Sequence, residues 1–327
     1  MTLAAMTIDA RRLWAGDLDF SGPLAFVDLD ATHEWPEVPV LPRFPVIGLG
    51  SREHPFAGDL DAVIEPPVSA LGMAEQIRAN PETAAVSVQL LRLVPDLTLE
   101  AALVVESLAY GLLQGSAEHL AWRDDRQPAE PSAPPGNVAI RRSGASLDIT
   151  LDRPGEGNAI DRSMRDALRE GFAMAALDTS IERLHLQASG RTFSLGADLA
   201  EFGTSRDPAT AHAIRMHTLP APMLAACASR LEARVQGACI GAGLEMAAWA
   251  HRIVAQSDAW FQLPELAMGI LPGAGGCVSI SRRIGRQRTA LMLLSGKRIS
   301  ASTALSWGLV DALVADVARD QGKADIG

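Results

Sequence analysis

Between residues 137 and 314 the sequence switches repeatedly between strand-like and helix-like period, and that switching leaves few folds open. Residues 137–142 and 146–151 alternate apolar and polar side chains around Ser143-Gly144, as paired strands joined by a tight turn do. Asp161 is placed to cap a helix reaching about residue 176, because Ile160, Met164, Leu168 and Phe172 recur at helical spacing. Strands are expected at 181–188 and 231–235, with a helix after Pro208 between them. Residues 241–250 read as helix despite their glycines, since Leu244, Met246, Ala247 and Ala250 form one buried face. Short strands at 252–255 and 259–262 precede helices at 274–283 and 287–294, and a last helix begins near Ser302. Strands alternating with helices imply an α/β domain, because crossover helices make neighbouring strands parallel. Hydrophobic residues make up 48% of the chain, enough to fill such a core.

The pattern breaks at residues 124–136, where Pro128, Pro131, Pro134 and Pro135 sit among charges and small residues. This reads as an extended linker at 128–136 between an N-terminal region, 1–127, and the core at 137–327. The other reading is a long surface loop inside one domain. The N-terminal region looks α+β. Short apolar stretches at 24–27 and 45–49 are followed by helices at 75–79 and 84–93, and Leu97-Thr98-Leu99-Glu100 opens a strongly apolar one. Phe56-Ala57-Gly58-Asp59-Leu60 echoes Phe193-Ser194-Leu195-Gly196-Ala197-Asp198-Leu199, as a decayed repeat or by chance.

A formal charge of −10 argues against a nucleic-acid binder, which needs a concentrated basic surface. Cys227, Cys239 and Cys277 are far apart and show no zinc spacing, and the histidines do not cluster, so no metal is expected. With no apolar run near the ~18 residues of a membrane span, and no charge-first leader, the sequence reads as cytoplasmic.

Three stretches carry candidate chemistry. Phe193 to Leu199 and Val235-Gln236-Gly237-Ala238-Cys239-Ile240-Gly241-Ala242-Gly243-Leu244-Glu245 offer backbone N–H groups at glycine turns. Glu245 and Glu265, the latter after Leu263-Pro264, offer two carboxylates. Together they suit a site that polarises a carbonyl and moves a proton beside it. Pro272-Gly273-Ala274-Gly275-Gly276 lacks the Lys-Ser/Thr of a phosphate loop and reads as a tight helix entry.

In order, Leu151-Asp152-Arg153-Pro154, Asn158-Ala159-Ile160, the three stretches above, Gly269-Ile270-Leu271-Pro272-Gly273, Leu294-Ser295-Gly296-Lys297 and Gly308-Leu309-Val310 resemble the crotonase, or enoyl-CoA hydratase/isomerase, superfamily. The resemblance covers residues 137 to about 314. It implies an α/β spiral of ββα units, with the N-terminal α+β region as an atypical addition, and an assembly of trimers or hexamers. It implies an acyl-CoA thioester as substrate, with coenzyme A arriving as part of it and no other cofactor, partner nucleic acid or membrane. By motif position the N–H groups of Ala197 and Ala242 form the oxyanion hole, while Arg153, Leu195, Gly196, Asp198, Gly241, Leu263 and Gly273 contact substrate or CoA. Many relatives have glycine at Ala242, whose methyl group keeps the N–H and narrows the pocket. Carboxylates at both Glu245 and Glu265 are the hydratase pattern, in which one activates water for Cβ and the other protonates Cα. The implied activity is a lyase of fatty-acid type metabolism. Alternatives are an isomerase, hydrolase or C–C lyase on the same scaffold, or a non-catalytic acyl-CoA-binding subunit. Tyr110 lies outside the resembling part, which disfavours a tyrosine acid. The family's helical tail is expected after Val310, yet residues 68–122 resemble that tail. The N-terminal region is therefore read as a shrunken crotonase-like unit supplying the cover.

Overall fold

The computed structural model describes residues 2–13, 22–35, 37, 39–125 and 134–315. Of the linker at 128–136, residues 128–133 lie outside the described residues, as do residues 316–327. The first part forms a parallel four-stranded sheet from β1 (Thr7–Ile8), β2 (Ala25–Asp28), β3 (Val46–Leu49) and β4 (Ala62–Val63), in that order. Along β2 the side chains alternate, Phe26 into the main core and Ala25 and Val27 into a smaller cluster with Leu29 and Leu60. That is the period of a pleated strand covered on both faces. Helices α1 (Ala70–Ala79), α2 (Pro81–Leu93), α3 (Leu99–Gln114) and α4 (Ala117–Asp124) follow. The side chains of Ser69, Thr98 and Ser116 accept the N–H groups of Gly72, Ala101 and His119, so local sequence starts three of these helices.

The second part opens with the antiparallel hairpin β5 (Asn137–Ser143) and β6 (Ser146–Asp152). Then come α5 (Arg162–Leu177), β7 (Arg183–Ala188), α6 (Pro208–Thr218), α7 (Ala221–Cys227), β8 (Leu231–Val235) and β9 (Ala238–Ile240). The rest is α8 (Ala242–Ala247), β10 (Arg252–Gln256), β11 (Trp260–Gln262), α9 (Gly276–Ser295), β12 (Ile299–Ser300), α10 (Ala301–Trp307) and β13 (Ala312–Val314). One sheet runs β13-β10-β8-β7-β6-β5, parallel except for the hairpin, and a second runs β12-β11-β9. Among the described residues no helix is long and apolar enough to cross a membrane.

The helices expected at 274–283 and 287–294 are the two halves of α9, which break at Gly285, where φ is 81° and ψ 157° and the backbone is not helical. Past the bend, Arg286 and Gln287 donate to the carbonyls of Gly58 and Leu60, and Arg288 pairs with Glu65 at 2.8 Å. The echo segment 56–60 is thereby held against α9. A single apolar cluster extends from Phe26 and Ile47 through Leu90 and Leu103 to Leu291, so the two parts share a core.

A clearer repetition appears elsewhere. Asp61 donates its N–H to Val46 O at 3.0 Å and accepts Val46 N–H at 2.8 Å. Asp311 does the same with Ile253, at 2.9 and 2.6 Å. Each aspartate precedes a short strand parallel to the strand it holds, and each takes an arginine, Arg92 on Asp61 and Arg283 on Asp311. Leu60-Asp61-Ala62-Val63 and Val310-Asp311-Ala312-Leu313 are thus one device used twice. Asp61 is 2% exposed. Asp61→Ala leaves Arg92 and the Val46 N–H without their partner, and is expected to destabilise the chain by about 3 kcal/mol in urea unfolding.

Candidate active site

β9 ends at Gly241, whose φ of 47° turns the chain into α8. Among the described residues, the N–H of Ala242, first in α8, donates to no protein acceptor, and neither does that of Ala197. The turns carrying them touch: a Cβ on Gly196 would stand 3.6 Å from Ala242 N and 3.7 Å from Gly241 Cα. Both residues line a cavity of about 880 Å³ that also holds Glu245 and Glu265. Two preorganised donors at one cavity wall suit an oxygen that gains negative charge.

Glu245 comes from α8 and Glu265 from the single 3-10 turn Glu265–Met268. They are 2% and 7% exposed. Glu245 Oε2 accepts the N–H groups of Ala274 at 2.6 Å and Gly276 at 2.9 Å. Burial pushes its carboxyl up to about 7, against the lowering pull of those two bonds. Glu265 Oε2 is buried and has no hydrogen-bond partner among the described residues. Burial, and then repulsion from Glu245, holds the Glu265 carboxyl well above the ordinary carboxylate range. One acid near neutrality beside one that keeps its proton is the division acid–base chemistry requires.

A third carboxyl, Glu106 of α3, was not anticipated from the sequence. It is 1% exposed. Its oxygens accept Gly275 N–H at 2.7 Å and Cys277 N–H at 2.9 Å, interleaving with the two bonds to Glu245. The opening of α9 is thus held by carboxyls from both parts of the chain. Burial, then the charge of Glu245, raises Glu106 as well. The glycines make this approach possible. A Cβ on Gly276 would overlap the Glu245 side chain, and one on Gly273 would overlap the Tyr110 ring. The 272–276 run is therefore a helix entry built for close contact.

Of the expected substrate contacts, Leu195, Gly196, Ala197, Asp198, Gly241, Ala242 and Gly273 line the cavity. Arg153 and Leu263 do not. Arg153 turns inward to Asp198 at 2.7 Å and Asp161 at 3.7 Å, where it fixes the oxyanion turn from behind. Leu263 is fully buried in the core. Among the described residues, the arginines that line the cavity are Arg162, Arg165 and Arg215. Tyr110, set aside for its place in the sequence, also lines it, with Gln114 and Trp122. The α4 backbone reaches Gly269, beside the Glu265 turn, and His119 Nδ1 lies 2.8 Å from Met268 O.

The model of the family described as enoyl-CoA hydratase/isomerase matches residues 141–322. The chain belongs to the enoyl-CoA hydratase/isomerase family. It is 36% identical over 173 residues to a 2,3-dehydroadipyl-CoA hydratase of Escherichia coli, covering 53% of this chain and 67% of that protein. A mevalonyl-coenzyme A hydratase of Beauveria bassiana is 33% identical, with 51% and 63% covered. The chain thus spans about two thirds of the length of these curated relatives. Among solved structures, an enoyl-CoA hydratase/carnithine racemase from Magnetospirillum magneticum superposes with a TM-score of 0.51 at 29% identity, covering 56% of this chain and 70% of that one. The α/β crotonase fold therefore occupies the second part. The enoyl-CoA hydratase/isomerase match leaves out α3 and α4, although Tyr110, Gln114 and Trp122 line the cavity and Glu106 holds the turn behind it.

Proposed function

We propose that the chain adds water across the 2,3-double bond of an enoyl-CoA thioester. One observation carries this reading: two buried carboxyls share a cavity with two uncommitted backbone N–H groups. In the reaction, the N–H groups of Ala197 and Ala242 hold the thioester oxygen. Ionised Glu245 takes a proton from water as the water oxygen bonds to Cβ. The double-bond electrons move toward the thioester oxygen, and neutral Glu265 gives its proton to Cα. A proton returning from Glu245 to Glu265 resets the pair. Helices α3 and α4 act in this reading as a cover of the site. The N-terminal region is then a reduced unit of the same kind, as the shared Asp61 and Asp311 arrangement supports.

The test is loss of conjugated thioester absorbance from crotonyl-CoA in oxygen-18 water. Hydration is expected to put one labelled oxygen on Cβ. Double-bond migration in a 3-enoyl-CoA with no label at Cβ would move the reading to isomerisation. Thioester binding with no turnover would move it to a binding subunit.

A further inference from the structure

The wall of the cavity formed by α3 and α6 carries an unpaired cation. Arg215 of α6 lines the cavity with Tyr110 and Gln114 of α3. Its guanidinium lies 4.4 Å from the centroid of the Tyr110 ring. That ring in turn packs against Gly273, in the turn that holds Glu245. The ring therefore bridges the guanidinium and the reacting end of the site.

Three of the five guanidinium N–H groups are committed. Nε donates to Ser107 Oγ at 3.1 Å, and the terminal nitrogens donate to Gln114 Oε1 at 2.7 Å and Ser107 O at 3.0 Å. Among the described residues, one N–H on each terminal nitrogen is left without a protein acceptor. Of the acidic groups in and beside the cavity, Asp161 and Asp198 pair with Arg153 and Glu201 with Arg162, Glu106 and Glu245 hold the 274–277 turn, and among the described residues none, Glu265 included, forms an ion pair with Arg215. Arg230 and Arg286 are also held by carbonyls alone, yet neither lines this cavity. A bond to a helix is thus part of what Arg215 does, and its place in the wall is the rest.

A guanidinium taken from water without a counter-ion is costly, and a bound anion recovers that cost. With its orientation fixed by three bonds and a stacked ring, it is preorganised for a carboxylate, whose geometry it matches. We propose that Arg215, with Tyr110 and Gln114, is an anion subsite of the acyl pocket, so that the preferred thioester bears a carboxylate at the far end of its acyl chain. The inference rests on the acyl-CoA reading above and concerns the other end of the same ligand. Arg162 and Arg165 also line the cavity, but any contact they make with CoA phosphates is common to every CoA thioester.

Hexanoyl-CoA and adipyl-CoA have equal chain length, carry no double bond and differ in the terminal carboxylate. Titration calorimetry with the full chain is expected to show adipyl-CoA binding about tenfold tighter or more, with the ratio shrinking as salt rises. Arg215→Met is expected to bring the ratio to about one. Gln114→Glu supplies a competing carboxylate while keeping the guanidinium, so it keeps the test alive should Arg215→Met fail to fold. A ratio near one in the unaltered chain, or one that survives Gln114→Glu, overturns the subsite. Failure of both thioesters to bind overturns the acyl-CoA reading with it, whereas equal binding of both overturns the subsite alone.

Discussion

Glu265→Gln is expected to slow hydration of crotonyl-CoA by about 10²- to 10⁴-fold, the usual contribution of a positioned acid. The substitution keeps the volume of a side chain that is 7% exposed, and it removes the proton that Glu265 holds for Cα. Folding should be little changed, because Glu265 Oε2 has no protein partner to lose. The pH profile makes the prediction sharper. Glu245 must be ionised to accept a proton from water, so the rate should rise as pH passes about 7. Glu265 must be protonated, and burial beside Glu245 keeps it so to higher pH, where the rate should fall. The two carboxyls titrate as a pair, and the limbs belong to the pair. In Glu265→Gln the alkaline limb should disappear from whatever rate remains. An unchanged rate would remove Glu265 from the chemistry.

The second large effect is expected at Glu106. Glu106→Ala leaves the Gly275 and Cys277 N–H groups buried without acceptors. Two such groups cost about 2–4 kcal/mol, and Glu245 should lose its position because it holds the same turn. Turnover and stability should therefore fall together. The sign of the pH dependence follows from protons bound. Burial and Glu245 hold the Glu106 carboxyl well above the ordinary glutamate value of about 4.3, so the folded chain keeps a proton that the unfolded chain releases above that pH. Stability then falls as pH rises from there toward the folded-state value, and removing Glu106 removes its share of that fall. The deficit of Glu106→Ala should be largest near pH 5 and smaller at pH 8 in urea unfolding. A deficit that grows with pH would mean that Glu106 is ionised in the folded chain.

These residues were unequally legible. The hairpin at 137–152 and the helix after Asp161 follow from apolar period and one cap, and the structure places them within a residue or two. Strands as short as β9, β12 and β13 span too few residues to show a period, and they form because neighbouring strands offer ladders. Glu245 and Glu265 were found through their glycine and proline surroundings. Glu106 had a weaker signal, one acid among Ala102, Leu103 and Leu113 on the buried side of an apolar helix. A charge at such a position implies a partner, but no local pattern says that the partner lies at the start of a helix far along the chain. The surroundings of Arg153 were hidden for the same reason. Its motif is local, whereas Asp198, which turns it inward, is brought to it by the fold.

The bond from Cys277 N–H to Glu106 joins residues 171 positions apart, with the carboxyl on the earlier one. A ribosome therefore makes the cover before the pocket it closes. At about 5–20 residues per second, α3 emerges roughly 10 to 30 s ahead of the turn it will hold. Throughout that interval Glu106 and the apolar residues beside it lack their destination. Unlike a cover that is synthesised after its pocket, α3 is exposed from its own synthesis until α9 emerges, and α9 ends that exposure.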